Sequence, residues 1–233
     1  VWGGEAGCLT NHRKGGVVVD HTFNSKGLAA LGSRPLFQLT EAVRPGPCSP
    51  VHPIEGFRRE LWKGPKGERV PLLAISVSQE KIMDLFLALL EPLGNIVDVI
   101  LESTHGPDGT PTPSGRQGRD LTRKMIDLPI FSSHCLEYED LLLNDGCTGI
   151  SVISSRARRK GLIREVQLDE HKTIIIYSEK LISFQKILES FQIGRQDNMR
   201  LLLEGDHLHR SSVRHMDQFG EFASVLGAEA KSC

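Results

Sequence analysis

Histidine and carboxylate stand together twice in this chain. Glu102 lies three residues before His105, and Glu204 lies three before His207, with His209 two residues further on. Imidazole and carboxylate together suit a divalent transition metal or general acid–base work. His207 and His209 share one side wherever the backbone between them is extended. A divalent metal is therefore the candidate cofactor, and Glu102, His105, Glu204, His207 and His209 are the candidate ligands or bases. Neither H-E-x-x-H nor C-x-x-C occurs. The plainer alternative is two polar strand ends that face water and cap nearby backbone.

A second chemistry is offered by Arg156-Ala157-Arg158-Arg159-Lys160, the densest basic run. On a turn, Arg156, Arg158, Arg159 and Lys160 could grip phosphates. No aromatic residue interleaves with them, so a single-strand stacking surface is missing. The 28 basic and 29 acidic residues leave a formal net charge of -1. Nucleic-acid recognition usually needs a basic excess, so nucleic acid is a disfavoured partner. The segment 106–118 is rich in Gly, Pro, Ser and Thr and reads as a loop or lid. It lacks the G-x-x-x-x-G-K-[ST] order of a phosphate cradle. Cys135 and Cys147 lack zinc-ligand spacing and read as buried thiols.

The elements that must hold these residues are read from hydrophobic period and turn chemistry. Residues 17–19 and 36–37 suit short strands. The stretch 44–53 holds four prolines and reads as a linker. Strands are predicted at 57–63, 70–77 and 96–101, with an almost wholly apolar helix at 79–93 between the last two. Helices are predicted at 120–126 and 131–143, then a strand at 149–153 and a basic turn at 156–161. Strands at 162–168 and 173–177, a helix at 179–192, a strand at 199–203 and a helix at 211–226 complete the chain.

The second half echoes the first. Gly56-Phe57-Arg58-Arg59-Glu60-Leu61 matches Gly161-Leu162-Ile163-Arg164-Glu165-Val166, Glu80-Lys81-Ile82 matches Glu179-Lys180-Leu181, and Glu102 and His105 fall over Glu204 and His207. The expected fold is α+β: two related ββαβ units forming mixed sheets, helices packed on them, and a pseudo-two-fold internal duplication. A helix between two strands of one unit implies a parallel pair with a right-handed crossover. The expected organisation is an irregular segment and linker at 1–55, a first repeat with following helices at 56–145, and a second repeat with a C-terminal helix at 146–233.

Five cysteines, an odd number without C-x-x-C spacing, read as reduced thiols of a cytoplasmic protein. The first residues lack the signal-peptide pattern. No apolar run approaches the roughly 20 residues of a membrane helix, so no membrane partner is expected. Self-association is the candidate partnership, through exposed sheet edges. These features favour a non-catalytic ligand-binding or assembly module. A metal-assisted hydrolase built on the repeated Glu/His ends is the alternative, and a nucleic-acid-binding protein using residues 156–160 is the third.

Overall fold

The computed structural model describes residues 37–64, 67–106 and 119–230. The predicted strand at 17–19 and nearly all of the 106–118 loop lie outside them. Strand β1 (Val43–Pro45) is followed by β2 (Gly56–Lys63), β3 (Arg69–Ser76), helix α1 (Gln79–Leu90) and β4 (Ile96–Ser103). Next come β5 (Arg119–Asp127), α2 (Leu128–Glu137), α3 (Glu139–Asn144), β6 (Thr148–Ser154) and the short α4 (Ser155–Arg159). Strands β7 (Arg164–Leu168) and β8 (Ile174–Ser178), α5 (Ile182–Ser190), β9 (His207–His209), α6 (Val213–Leu226) and β10 (Glu229–Ala230) follow. No helix among the described residues is long and apolar enough to cross a membrane.

The fold is α+β. Eight strands form one sheet in the order β10-β5-β4-β6-β7-β8-β3-β2, and β1 pairs with β9 in a separate ribbon. Every neighbouring pair in both sheets is antiparallel. The expected parallel pairs are thereby corrected. Helix α1 does return the chain so that β3 and β4 point the same way, but β6, β7 and β8 lie between them. The hairpins β2–β3 and β7–β8 instead meet through β3 and β8, with Leu72 opposite Tyr177 and Ile75 opposite Ile174. The segments 56–145 and 146–233 thus contribute to a single sheet.

Period-two alternation sends Leu73 and Ile75, Val97, Val99 and Leu101, Ile150 and Val152, Val166 and Leu168, and Ile174 and Ile176 to one face, each at most 1% exposed. Helices cover that face with Phe86, Phe131, Phe184 and Phe222, all at 0%. Burying each such side chain stabilises the fold by about 1.5–3 kcal/mol. Helix α1 starts where Ser78 Oγ accepts from Gln38 N at 2.8 Å, which ties residues 37–43 across one end of the sheet.

Two predicted elements are replaced. Residues 120–126 belong to β5, next to the edge and paired with β4 through a bulge at Val97–Val99, not to a helix. Residues 199–203 form no strand. Met199 and Leu201 pack on Leu72 and Ala74 behind β3, while Leu202 packs on Ala42 and Val43. The run pairs with no strand and closes into a 3₁₀ turn at Leu202–Glu204.

Candidate metal centre

The chain ends of β4, β6, β7 and β8 converge at one end of the sheet, with Ser103 opposite Thr148 and Leu168 opposite Ile174. The ribbon lies there too. In its register Val43 faces His209 and Pro45 faces His207. Arg210 N donates to Ala42 O at 2.7 Å, and Gly146 N donates to Arg210 O at 2.7 Å, which locks β9 against the segment leading into β6. An extended H-x-H then puts both imidazoles on one side.

The third imidazole comes from the β7–β8 turn. Asp169 accepts on Oδ1 from the backbone N–H of His171 at 3.0 Å and of Thr173 at 2.8 Å. Lys172 takes the left-handed conformation at φ 63°. This turn brings His171 to the ribbon, and His171 Nε2 lies 3.2 Å from His207 Nε2. The ring centroids of His171, His207 and His209 stand 4.8–5.1 Å apart. One ligand nitrogen from each of the three lies within 4.8 Å of the others. A tetrahedral ion with bonds of about 2.05 Å to nitrogen needs its ligands about 3.3 Å apart, so the cluster is of ligand size.

The other face of each ring is fixed. His207 Nδ1 donates to Gly205 O at 2.7 Å and His209 Nδ1 to Gly146 O at 2.5 Å. A carbonyl only accepts, so both rings carry their proton on Nδ1 and leave an Nε2 lone pair for the centre. His171 Nδ1 lies 3.2 Å from Asp169 Oδ2. Carbonyls and carboxylates behind ligating histidines are the usual outer support of metal sites. Burial opposes charge on His171, but the hydrogen bond and charge of Asp169 outweigh it and raise its pKa. His209 moves down, through burial first and then through the charge of His171.

Beside His171 opens a cleft of about 290 Å³ lined by Glu102, Thr104, Asp120, Gln167 and Glu170. Thr104 Oγ1 donates to Glu170 Oε2 at 3.2 Å. Gln167 Nε2 donates to Glu102 Oε2 at 3.4 Å. Burial, and then the neighbouring carboxylates of Asp120, Glu165, Glu170 and Asp169, raise the Glu102 pKa.

The five residues singled out in the sequence therefore separate. His207 and His209 join the centre, and Glu102 lines the cleft beside it. His105 lies elsewhere, with Nε2 3.0 Å from Asp145 Oδ2. Glu204 is committed to Arg58, at 2.7 and 2.9 Å, and to the backbone N–H of Leu201 at 2.8 Å. His171, Asp169 and Gly146 were not singled out. An Asp-x-His in a turn, able to hold its own imidazole, is the signal that was there to find. The basic run forms a helical turn capped by Ser154 in the connection between the antiparallel strands β6 and β7, and Arg158 Nε reaches Asp98 Oδ2 at 2.7 Å.

No protein-family model, no curated protein and no solved structure matches this chain.

The geometry alone therefore carries the chemistry. Among the described residues, three imidazoles with oriented rings converge and the group includes no fourth ligand, which is the donor arrangement of an ion site with an open position.

Proposed function

We propose that the chain binds a divalent transition metal through His171, His207 and His209 and uses it for metal-assisted hydrolysis of a substrate held in the Glu102–Glu170 cleft. The observation that carries this reading is the convergence of three imidazole edges whose opposite nitrogens are each held by a carbonyl or carboxylate. A three-histidine ion with an open position lowers the pKa of bound water towards 7. Glu170 follows as the group that accepts the proton. It precedes His171 in the chain, is held by Thr104, and acts electrostatically on both His171 and His209. The carboxylates of the cleft favour a substrate that carries positive charge or a polar, uncharged group.

We also infer that the hairpin-plus-helix units β2–β3–α1 and β7–β8–α5 descend from one duplicated segment. The antiparallel meeting of β3 with β8 supports an approximate two-fold relation.

The test is a zinc titration of the chelator-treated chain, followed by His207→Ala with His209→Ala and by a panel of chromogenic esters, amides and phosphoesters. The expected result is loss of an equivalent of zinc together with any hydrolysis. A double variant that binds zinc as fully and as tightly as the parent would overturn the metal reading. Hydrolysis that survives in the stripped protein would overturn the mechanism.

A further inference from the structure

Behind the segment that orients His209 lies a second group of donors, on the helix side of the sheet. His105 stands two residues beyond the end of β4, and Asp145 and Cys147 flank Gly146 just before β6. The two chain segments are tied together where Thr104 N donates to Cys147 O at 2.9 Å. Asp145 is 0% exposed and Cys147 1%. The His105 side chain is 4% exposed and lies beneath Phe219 of α6, with ring centroids 5.9 Å apart.

We propose that His105, Asp145 and Cys147 form a second metal site, closed and structural, for a thiophilic divalent ion such as zinc. One nitrogen, one carboxylate oxygen and one sulfur there lie within 4.8 Å of one another. This donor set belongs to the borderline-soft ions that thiolates select. It differs from the all-imidazole set at the ribbon, and the proposal does not depend on that centre.

Two observations point to an ion rather than to an ordinary polar core. First, the ligands are held from behind. Ser103 Oγ lies 2.7 Å from His105 Nδ1, which turns Nε2 inward. Asp145 accepts from Thr148 Oγ1 at 2.5 Å and from Cys147 N at 3.3 Å. Second, more buried polar groups converge on Asp145 than its two oxygens can serve. Thr148, Cys147 N, His105 and Ser211 already take them up, and His215 Nδ1 is enclosed with no hydrogen-bond partner. His105 Nε2 comes within 3.0 Å of Asp145, and His215 Nδ1 within 3.9 Å. Buried polar groups are almost always satisfied, by protein, water or ion. A divalent ion among them satisfies His105 and Asp145 directly and leaves His215 or Ser211 as the fourth donor.

The charge balances. Binding displaces one proton from the Cys147 thiol to solvent, and the resulting thiolate and the Asp145 carboxylate neutralise the two charges of the ion. No oxidant or reductant is needed. The site would clamp the end of β4 to the start of β6 beneath α6, and so hold Gly146, whose carbonyl orients His209.

Cobalt(II) titration of the full, chelator-treated chain tests this. Two equivalents are expected, with a sulfur-to-cobalt charge-transfer band in the near ultraviolet. That band should vanish in Cys147→Ser and persist in the His207→Ala, His209→Ala double variant, whose melting temperature should still rise with cobalt. One equivalent bound without the band overturns the second site. A band that survives Cys147→Ser also overturns it, since the sulfur is then another cysteine. One equivalent with a Cys147-dependent band supports this site and overturns the three-histidine centre instead. Should Cys147→Ser not fold, His105→Asn is read in its place: loss of the band supports the site, and an unchanged band overturns it.

Discussion

The carbonyl of Gly146 accepts the Nδ1 proton of His209 at 2.5 Å, while the Gly146 N–H donates to the carbonyl of the next residue, Arg210, at 2.7 Å. One glycine thus holds both the ring and the strand of a proposed ligand. A Cβ at position 146 would come 2.4 Å from Ala42 O and within 3.0 Å of Arg210 N, all backbone atoms. Gly146→Ala must therefore push the ribbon away. We expect a loss of about 1–3 kcal/mol of stability, the usual cost of overpacking. A weaker zinc affinity should accompany it. Urea unfolding and calorimetric titration on the same preparation check both.

Asp169 supports His171 from outside the centre. Asp169→Asn keeps an acceptor for the turn but removes the charge. Zinc affinity should fall by about 10–100-fold, as for other outer partners of ligating histidines. An affinity within twofold of the parent would remove Asp169 from the site.

The pH dependence follows from His171. Its folded pKa is raised, so a proton competes for Nε2 to a higher pH than in a free imidazole. Zinc affinity should climb as pH rises through that raised value and then level off. In the metal-free chain the sign is opposite. The stability from His171 in its charged form is complete below the ordinary pKa near 6.5 and is lost as pH rises through the folded value. Asp169→Asn should shift both curves to lower pH, measured by titration and by chemical unfolding at stepped pH.

Lys172 is wholly buried, with Nζ donating to Thr148 O at 2.9 Å, and burial pulls its pKa down to about 8. Its folded value lies below its unfolded one, so folding releases a proton between pH 8 and 10.5. Stability contributed through Lys172 should therefore rise across that window, by on the order of 3 kcal/mol. The difference in unfolding free energy between the parent and Lys172→Met, followed over that range, isolates the effect.

Glu204 was a candidate ligand by sequence and is a brace by structure. Glu204→Gln weakens its paired contact with Arg58 and should cost about 1 kcal/mol. Zinc affinity should stay unchanged. A tenfold loss of affinity would return Glu204 to the metal site.

What was legible in the sequence follows from period. The apolar runs of α1, β3, β4 and β8 are strong local signals, and those elements appear close to where they are expected. The alternation of β5 is broken by a bulge opposite Val97–Val99 and by a left-handed Met125 at φ 57°, so no strand period is legible there. Which strands neighbour one another is set by long-range pairing that no local window carries. The H-x-H pair was visible for the same reason that strands are. His171 was hidden in a polar turn, where a ligand and a solvated residue look alike. The pairing of Glu102 with Glu204 came from matched strand ends, and the second of those ends became a turn.

The ribbon β1–β9 is only three residues deep on each side and forms its own small sheet, apart from the eight-stranded one. Two of the three converging histidines ride on it, and the third rides on the large sheet. Short pairings of this kind open far more readily than a packed core. An ion at the centre would fasten this short ribbon to the β7–β8 turn of the large sheet. Amide exchange around Val43 and Arg210, and the survival of the 37–55 segment against protease, would then become direct gauges of how much metal the protein has been supplied with.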